Sequence, residues 1–156
     1  MKIPRVYVDT SVLGGCHDPE FCVWSRALVE DFRRGIFRPV VSDVTGTEVL
    51  AAPEAVRSTY AEVLGMGAEV VEVTSEALAL RAAYEGRGVL PARFATDMLH
   101  IALATVAEVD VLVSWNFRHI VRLDKIRMFN GINLELGYRT ISIYSPREVA
   151  THERED

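Results

Sequence analysis

The sequence predicts an α/β fold, with helices on both faces of a mainly parallel sheet of four to five strands. Three observations predict it. Short apolar, β-favouring runs alternate along the chain with longer stretches of helical periodicity, the pattern of βαβ units. Right-handed crossovers then point the parallel strands the same way. Finally, two of the apolar runs end in polar segments, Val8-Asp9-Thr10-Ser11 and Val113-Ser114-Trp115-Asn116, at the strand ends where open α/β sheets bind ligands.

The bulk numbers set the class. A chain of 156 residues, 49% hydrophobic and 25% charged, can bury one substantial core. We expect one domain over residues 1–145 and a partly disordered tail over 146–156, frayed from Glu153 to Asp156. No apolar run approaches the ~20 residues that span a bilayer. Met1-Lys2-Ile3-Pro4-Arg5 does not read as a signal peptide, so the expectation is a cytoplasmic protein. Cys16 and Cys22 have no second pair at zinc spacing and read as reduced thiols. The net charge of −5 argues against indiscriminate nucleic-acid binding, which relies on excess Lys and Arg.

The elements follow in order. Val6-Tyr7-Val8 is a buried strand, which puts Asp9 at its carboxyl end. Gly14-Gly15-Cys16-His17 reads as a flexible turn. Asp18 as N-cap and Pro19 at the first helical position begin a helix carrying Phe21, Trp24, Leu28, Val29 and Phe32, with Gly35 just past its end. Residues 37–41 are a second strand, which Pro39 places at a sheet edge or a strand start. Ser42-Asp43 caps a helix carrying Val44, Thr47, Glu48 and Leu50, broken at Ala52-Pro53. Another helix covers residues 54–64. Residues 69–73 alternate as a third strand, and Thr74 or Ser75 caps a helix to Tyr84. Residues 92–106 form the most apolar helix. Asp97 lies in its N-terminal half, where the helix dipole favours the ionised form, and His100, three residues on, shares its face. Residues 109–114 are a fourth strand, 125–136 a last helix ending at Gly137, and 140–144 a fifth strand. If the strands are close neighbours, Asp9, Glu48, Asp97 and Asn116 converge on one sheet edge.

Four places then carry a resemblance: Val8-Asp9-Thr10-Ser11, Glu48 on an early helix, Thr96-Asp97-Met98-Leu99-His100-Ile101-Ala102 on a late helix, and Val113-Ser114-Trp115-Asn116-Phe117. In their order and spacing the chain resembles the PIN-domain ribonucleases, especially the toxin members of toxin–antitoxin pairs. The resemblance implies a three-layer α/β/α sandwich whose clustered acids hold Mg²⁺ or Mn²⁺ and cleave RNA. Carried over by position, Asp9, Glu48 and Asp97 match the first three acids, and Asn116 stands where the family often has aspartate. It implies that Asp9 and Asp97 bind the metal, that Glu48 completes the shell or orients water, and that Asn116 orients a ligand or meets the phosphate. Thr10, Ser11, Arg118 and His119 would support the acids or touch substrate. An amide adds no charge, so Asn116 weakens the case for a second metal. The resemblance also implies a cognate antitoxin and a homodimer, with no membrane partner.

The chemistry makes sense beside the family. Hard divalent cations take oxygen ligands, and a bound metal acidifies its water and stabilises charge on a phosphoryl group. His100 reads as a structural histidine or one supporting the site rather than a ligand. Arg118, Arg122, Lys125 and Arg127 crowd one segment that could meet a phosphate backbone or form a solvated helix face. A non-catalytic PIN scaffold is the rival expectation. A haloacid-dehalogenase reading fails because Ser11 stands where the second aspartate is needed.

Overall fold

The central strand of the sheet, β1 (Arg5–Val8), is buried from Val6 to Val8 because strands flank it on both sides and helices cover both its faces. In this computed structural model, which describes residues 2–151, β2 (Arg38–Ser42) and β4 (Val111–Val113) pair with β1. The outer strands are β3 (Glu69–Val71) and β5 (Ile143–Tyr144). The order is β3-β2-β1-β4-β5, and every pairing is parallel.

Strand alternation divides the core into two. Tyr7, Val40 and Leu112 point to one face, against α5 (Ser75–Gly86), α6 (Ala95–Val106) and α7 (Leu123–Glu135). Val6, Val8, Val41 and Val113 point to the other, against α1 (Thr10–Gly15), α2 (Cys22–Arg33) and α4 (Glu54–Leu64). The result is the expected three-layer α/β/α sandwich. Between β2 and α4, α3 (Asp43–Leu50) starts where the Ser42 hydroxyl accepts from the Thr45 N–H. Thr74 caps α5 in the same way through the Ala77 N–H. Gly35, at φ +74°, supplies the left-handed turn after α2.

Several boundaries differ from expectation. Gly14 and Gly15 belong to α1 rather than to a turn. Gly15 is needed there for close approach, since a Cβ would come within 2.4 Å of Ser25 Oγ and 2.6 Å of Trp115 Nε1. Asp18 closes a turn through the Glu20 N–H, and α2 starts only at Cys22. Of the two expectations for Pro39, the edge fails, because β2 lies between β3 and β1, and the strand start holds: Pro39 is the second residue of β2, and pairing with β3 begins one residue later, at Val40. The third, fourth and fifth strands are shorter than expected, because pairing is confined to three, three and two residues. The most apolar helix opens with a 3-10 turn, Ala92–Phe94. The last segment is not all tail: Pro146–Val149 forms α8, whose first turn is closed by a Ser145–Glu148 capping box. Asp31 of α2 holds it in place by accepting from the Thr151 N–H at 2.8 Å and its hydroxyl at 2.5 Å. The expected fraying of Glu153 to Asp156 lies outside the described residues. No described helix is long and apolar enough to cross a membrane.

Candidate active site

Asp9 follows β1 directly and serves as the N-cap of α1, accepting from the Val12 N–H at 3.3 Å. Because Val8 pairs with Val113, the next residues along, Asp9 and Ser114, fall side by side at the carboxyl edge. Ser114 donates its hydroxyl to Asp9 Oδ2 at 2.6 Å, and Ser11 donates to Oδ1 at 2.6 Å. The two serines are themselves fixed by backbone: the Trp115 N–H donates to Ser11 Oγ, and the Asn116 N–H to Ser114 Oγ, each at 2.9 Å. Asp9 is 5% exposed. Burial pushes its carboxyl above the ordinary aspartate range, and His100, the two serine hydroxyls and the Val12 amide only partly oppose this.

Glu48 reaches the same region from α3. Its Oε1 accepts from the Thr10 hydroxyl at 3.0 Å and lies 2.7 Å from His100 Nε2. The other nitrogen of His100, Nδ1, is 2.6 Å from the Tyr7 hydroxyl, which in turn lies 2.7 Å from Ser42 Oγ. With a neutral imidazole the chain runs from Ser42 to Tyr7, from Tyr7 to His100 Nδ1 and from His100 Nε2–H to Glu48; a charged imidazole donates to both Tyr7 and Glu48, and Tyr7 then donates to Ser42. Partial burial alone would raise the Glu48 carboxyl. The His100 hydrogen bond and charge and the Thr10 hydroxyl outweigh it and hold the group below the usual glutamate range. Burial likewise pushes the Tyr7 phenol far up, so it stays a neutral donor.

Asp97 sits in the first turn of α6, which leads into β4 and therefore starts at the carboxyl edge. Its Oδ2 lies 2.9 Å from His119 Nδ1. The His119 ring packs on Phe94 at 4.0 Å, and the Arg93 guanidinium lies over Phe94 at 4.8 Å. Asn116 Oδ1 accepts from the backbone N–H groups of Arg118 (3.2 Å) and His119 (2.9 Å), so its side chain shapes the turn that presents His119. Arg118 is exposed. Of the neighbouring cations, Arg122 pairs with Asp124 at 2.7 Å and Lys125 donates to the Val89 carbonyl at 2.8 Å.

The structure thus joins Asp9, Thr10, Ser11 and Glu48 in one hydrogen-bonded neighbourhood. Asp97, His119 and Asn116 form a second group at the same edge, connected to the first through Ser114. His100 does not act beside Asp97, as their spacing implies, but turns to Glu48. Sequence reasoning missed Tyr7, Ser42 and Ser114. Ser114 had a legible signal, because it follows the strand that also delivers Asn116, whereas Tyr7 and Ser42 read as ordinary strand and cap residues. Among the described residues, no three His, Cys, Asp or Glu side chains group closely enough to hold a metal ion. The donors nevertheless fit a hard cation in kind. All are oxygens, and Glu48 Oε2 and Asp97 Oδ1 accept no hydrogen bond from the described residues. Asp9 Oδ2 retains a lone pair beyond the one Ser114 uses, whereas Oδ1 already accepts from Ser11 and Val12.

No protein-family model matches the chain, and neither does any curated protein. Solved structures do. VapBC2 from Rickettsia felis, solved bound to a DNA fragment from its promoter, aligns over 90% of this chain and 98% of its own, at a TM-score of 0.58 and 11% identity. FitAcB from Neisseria gonorrhoeae aligns over 92% and 99%, at 0.55 and 14%. A toxin–antitoxin complex from Klebsiella pneumoniae aligns over 73% and 88%, at 0.54 and 13%. The fold is PIN-like. In this PIN-like fold the carboxyl edge of the sheet carries Asp9, Ser114 and Asn116 on loops after β1 and β4, with Glu48 and Asp97 on flanking helices. At such low identity the likeness concerns the backbone arrangement, and the side chains have to be argued from their own chemistry.

Proposed function

We propose that the chain is a Mg²⁺- or Mn²⁺-dependent endoribonuclease, a toxin restrained by a cognate antitoxin, working in the cytoplasm as a homodimer. One observation carries the reading. Asp9 is a buried carboxylate whose two oxygens are each fixed by a serine, at the edge where Glu48 and Asp97 arrive from other elements. Burying an acid in this way is unfavourable unless something uses its charge. One of the like folds is a toxin–antitoxin complex, which supports the partner class.

In this reading Asp9 and Asp97 hold the ion and Glu48 completes its shell or orients water. When bound, the ion would acidify water and stabilise charge on the phosphoryl oxygens. Ser11 and Ser114 keep Asp9 in one rotamer. His100 holds Glu48 with its second oxygen turned away from Thr10 and His100. His119 orients Asp97, and Arg118 lies exposed beside it for the RNA backbone.

The test is cleavage of a mixed RNA pool by antitoxin-free protein, with Mg²⁺, with Mn²⁺ and with chelator, beside Asp97→Asn. Metal-dependent cutting that the variant loses is the expected result. A folded, metal-binding protein that does not cut would favour the non-catalytic scaffold. The observation on that side is Asn116, whose amide oxygen already serves two backbone N–H groups.

A further inference from the structure

Beside the acids lies a second feature that the proposed chemistry does not use. A cleft of about 430 Å³ opens between the start of α2, the loop after β4 and the start of α8. Its size falls within the roughly 300–1,000 Å³ of small-ligand pockets. Its walls are aromatic. Phe21 stacks on Trp115 with ring centres 4.3 Å apart and planes 24° apart, and Phe117 meets Trp115 edge-on at 6.1 Å. Phe117 is 50% exposed, so one face of its ring is accessible at the cleft. Arg147 lies 5.9 Å over the Trp24 ring and forms no ion pair among the described residues. Of the two acids at the cleft, Glu148 of α8 is turned back onto Ser145; the other, Glu20, is exposed.

We propose that this cleft is a subsite for an unpaired base of single-stranded RNA, with Phe117 as its stacking face and Arg147 as its cation. The proposal deepens the ribonuclease reading and rests on it for the identity of the strand. Two facts favour RNA over a protein segment. The cleft adjoins the acids along the chain: Trp115 and Phe117 flank Asn116, and the Trp115 N–H donates to Ser11 Oγ, which donates to Asp9. A strand whose phosphate sits at Asp9 would therefore have Phe117 within reach of a neighbouring base. The chemistry also matches, since flat aromatic faces beside arginine are how sequence-tolerant single-strand binders hold bases. Exposed Arg118, next to Phe117, adds charge for the backbone.

The experiment uses the full chain carrying Asp97→Asn, so that the probe is not cut. Binding of a labelled eight-nucleotide oligo(A) is compared with that of an abasic ribose-phosphate oligomer of equal length, at one salt concentration. Phe117→Ala should weaken oligo(A) binding about tenfold, as loss of one base stack does, and leave the abasic oligomer unaffected. Phe117→Tyr should bind like the parent. Because the ring is half-exposed, a thermal melt suffices to verify the fold. Unchanged oligo(A) binding in Phe117→Ala, the result expected of a protein-docking face, overturns the subsite. Equal losses on both oligomers, or no binding of either, overturn it as well. Wild-type protein that cuts RNA while Phe117→Ala binds normally refutes only the subsite. Base-dependent binding by a protein that never cuts refutes only the nuclease.

Discussion

Glu48 Oε1 and His100 Nε2 lie 2.7 Å apart, although the two residues stand on different helices and 52 positions apart in the chain. The imidazole is 2% exposed and has Tyr7 on its far side, so it cannot swing away. It therefore decides where the Glu48 carboxylate points. His100→Leu keeps much of the volume but leaves the Tyr7 hydroxyl and Glu48 each short of one partner. We expect unfolding free energy to drop by roughly 1–3 kcal/mol. Urea denaturation measures it, and an unchanged midpoint would show that the chain Ser42–Tyr7–His100–Glu48 contributes nothing to the fold.

Asp9 makes the opposite kind of contribution. Its folded pKa is raised above the ordinary 3.8, chiefly by burial. A carboxyl that binds its proton more tightly when folded favours the fold at low pH. That contribution is full below the unfolded value and is lost as pH rises through the folded one. Above both, the buried charge destabilises. In metal-free protein, Asp9→Asn should therefore raise Tm at pH 7, and with Mg²⁺ or Mn²⁺ added it should abolish cleavage. The gain in Tm should shrink as the pH falls toward 4. A variant that is less stable than wild type at pH 7 would contradict this. Glu48, held below its ordinary range, has the reverse sign: its contribution is present above the unfolded value and disappears as pH falls through the folded one.

Gly15→Ala tests why α1 exists where a turn was expected. The new methyl group would meet Ser25 Oγ and the Trp115 indole at 2.4–2.9 Å, and would push apart the Trp115–Ser25 hydrogen bond of 2.8 Å. Overpacking of this kind costs about 1–3 kcal/mol. Gly14→Ala, whose Cβ meets nothing within 4 Å, should be nearly neutral. Equal effects of the two substitutions in thermal melts would remove the close-approach argument.

Asn116→Asp should keep its turn, because a carboxylate oxygen accepts from the Arg118 and His119 amides as the amide oxygen does. The added charge should tighten Mn²⁺ or Mg²⁺ binding. Calorimetry that finds the same affinity in both proteins would place residue 116 away from the ion.

Much of this was legible because the signals are local. The Val6-Tyr7-Val8 run, the Ser42 and Thr74 caps, α4 from Glu54 to Leu64, and the Gly35 turn are each set by neighbours a few residues away. Asp9 was visible for the same reason: an acid directly after an apolar strand can only lie at a strand end. By contrast, the Ser145–Glu148 capping box that starts α8 is local and was overlooked, whereas the docking of the segment after it was not legible, because Asp31 is 120 positions away from Thr151.

The sequence by itself determined the alternation of strands and helices, and with it a parallel sheet; that Asp9, Glu48, Asp97 and Asn116 reach one edge depended on the strand order β3-β2-β1-β4-β5. It could not determine what each acid touches. The spacing of Asp97 and His100 puts both on one helix face, yet one pairs with His119 and the other with Glu48. Only the strand register, Val8 opposite Val113, sets Ser114 against Asp9, and only the tertiary placement of α3 beside α6 hands His100, held from its other side by Tyr7, to Glu48. Register and packing depend on contacts between segments some 35 to 105 residues apart. No periodicity within a segment encodes them, because they are chosen by which faces of the sheet the whole chain has to bury.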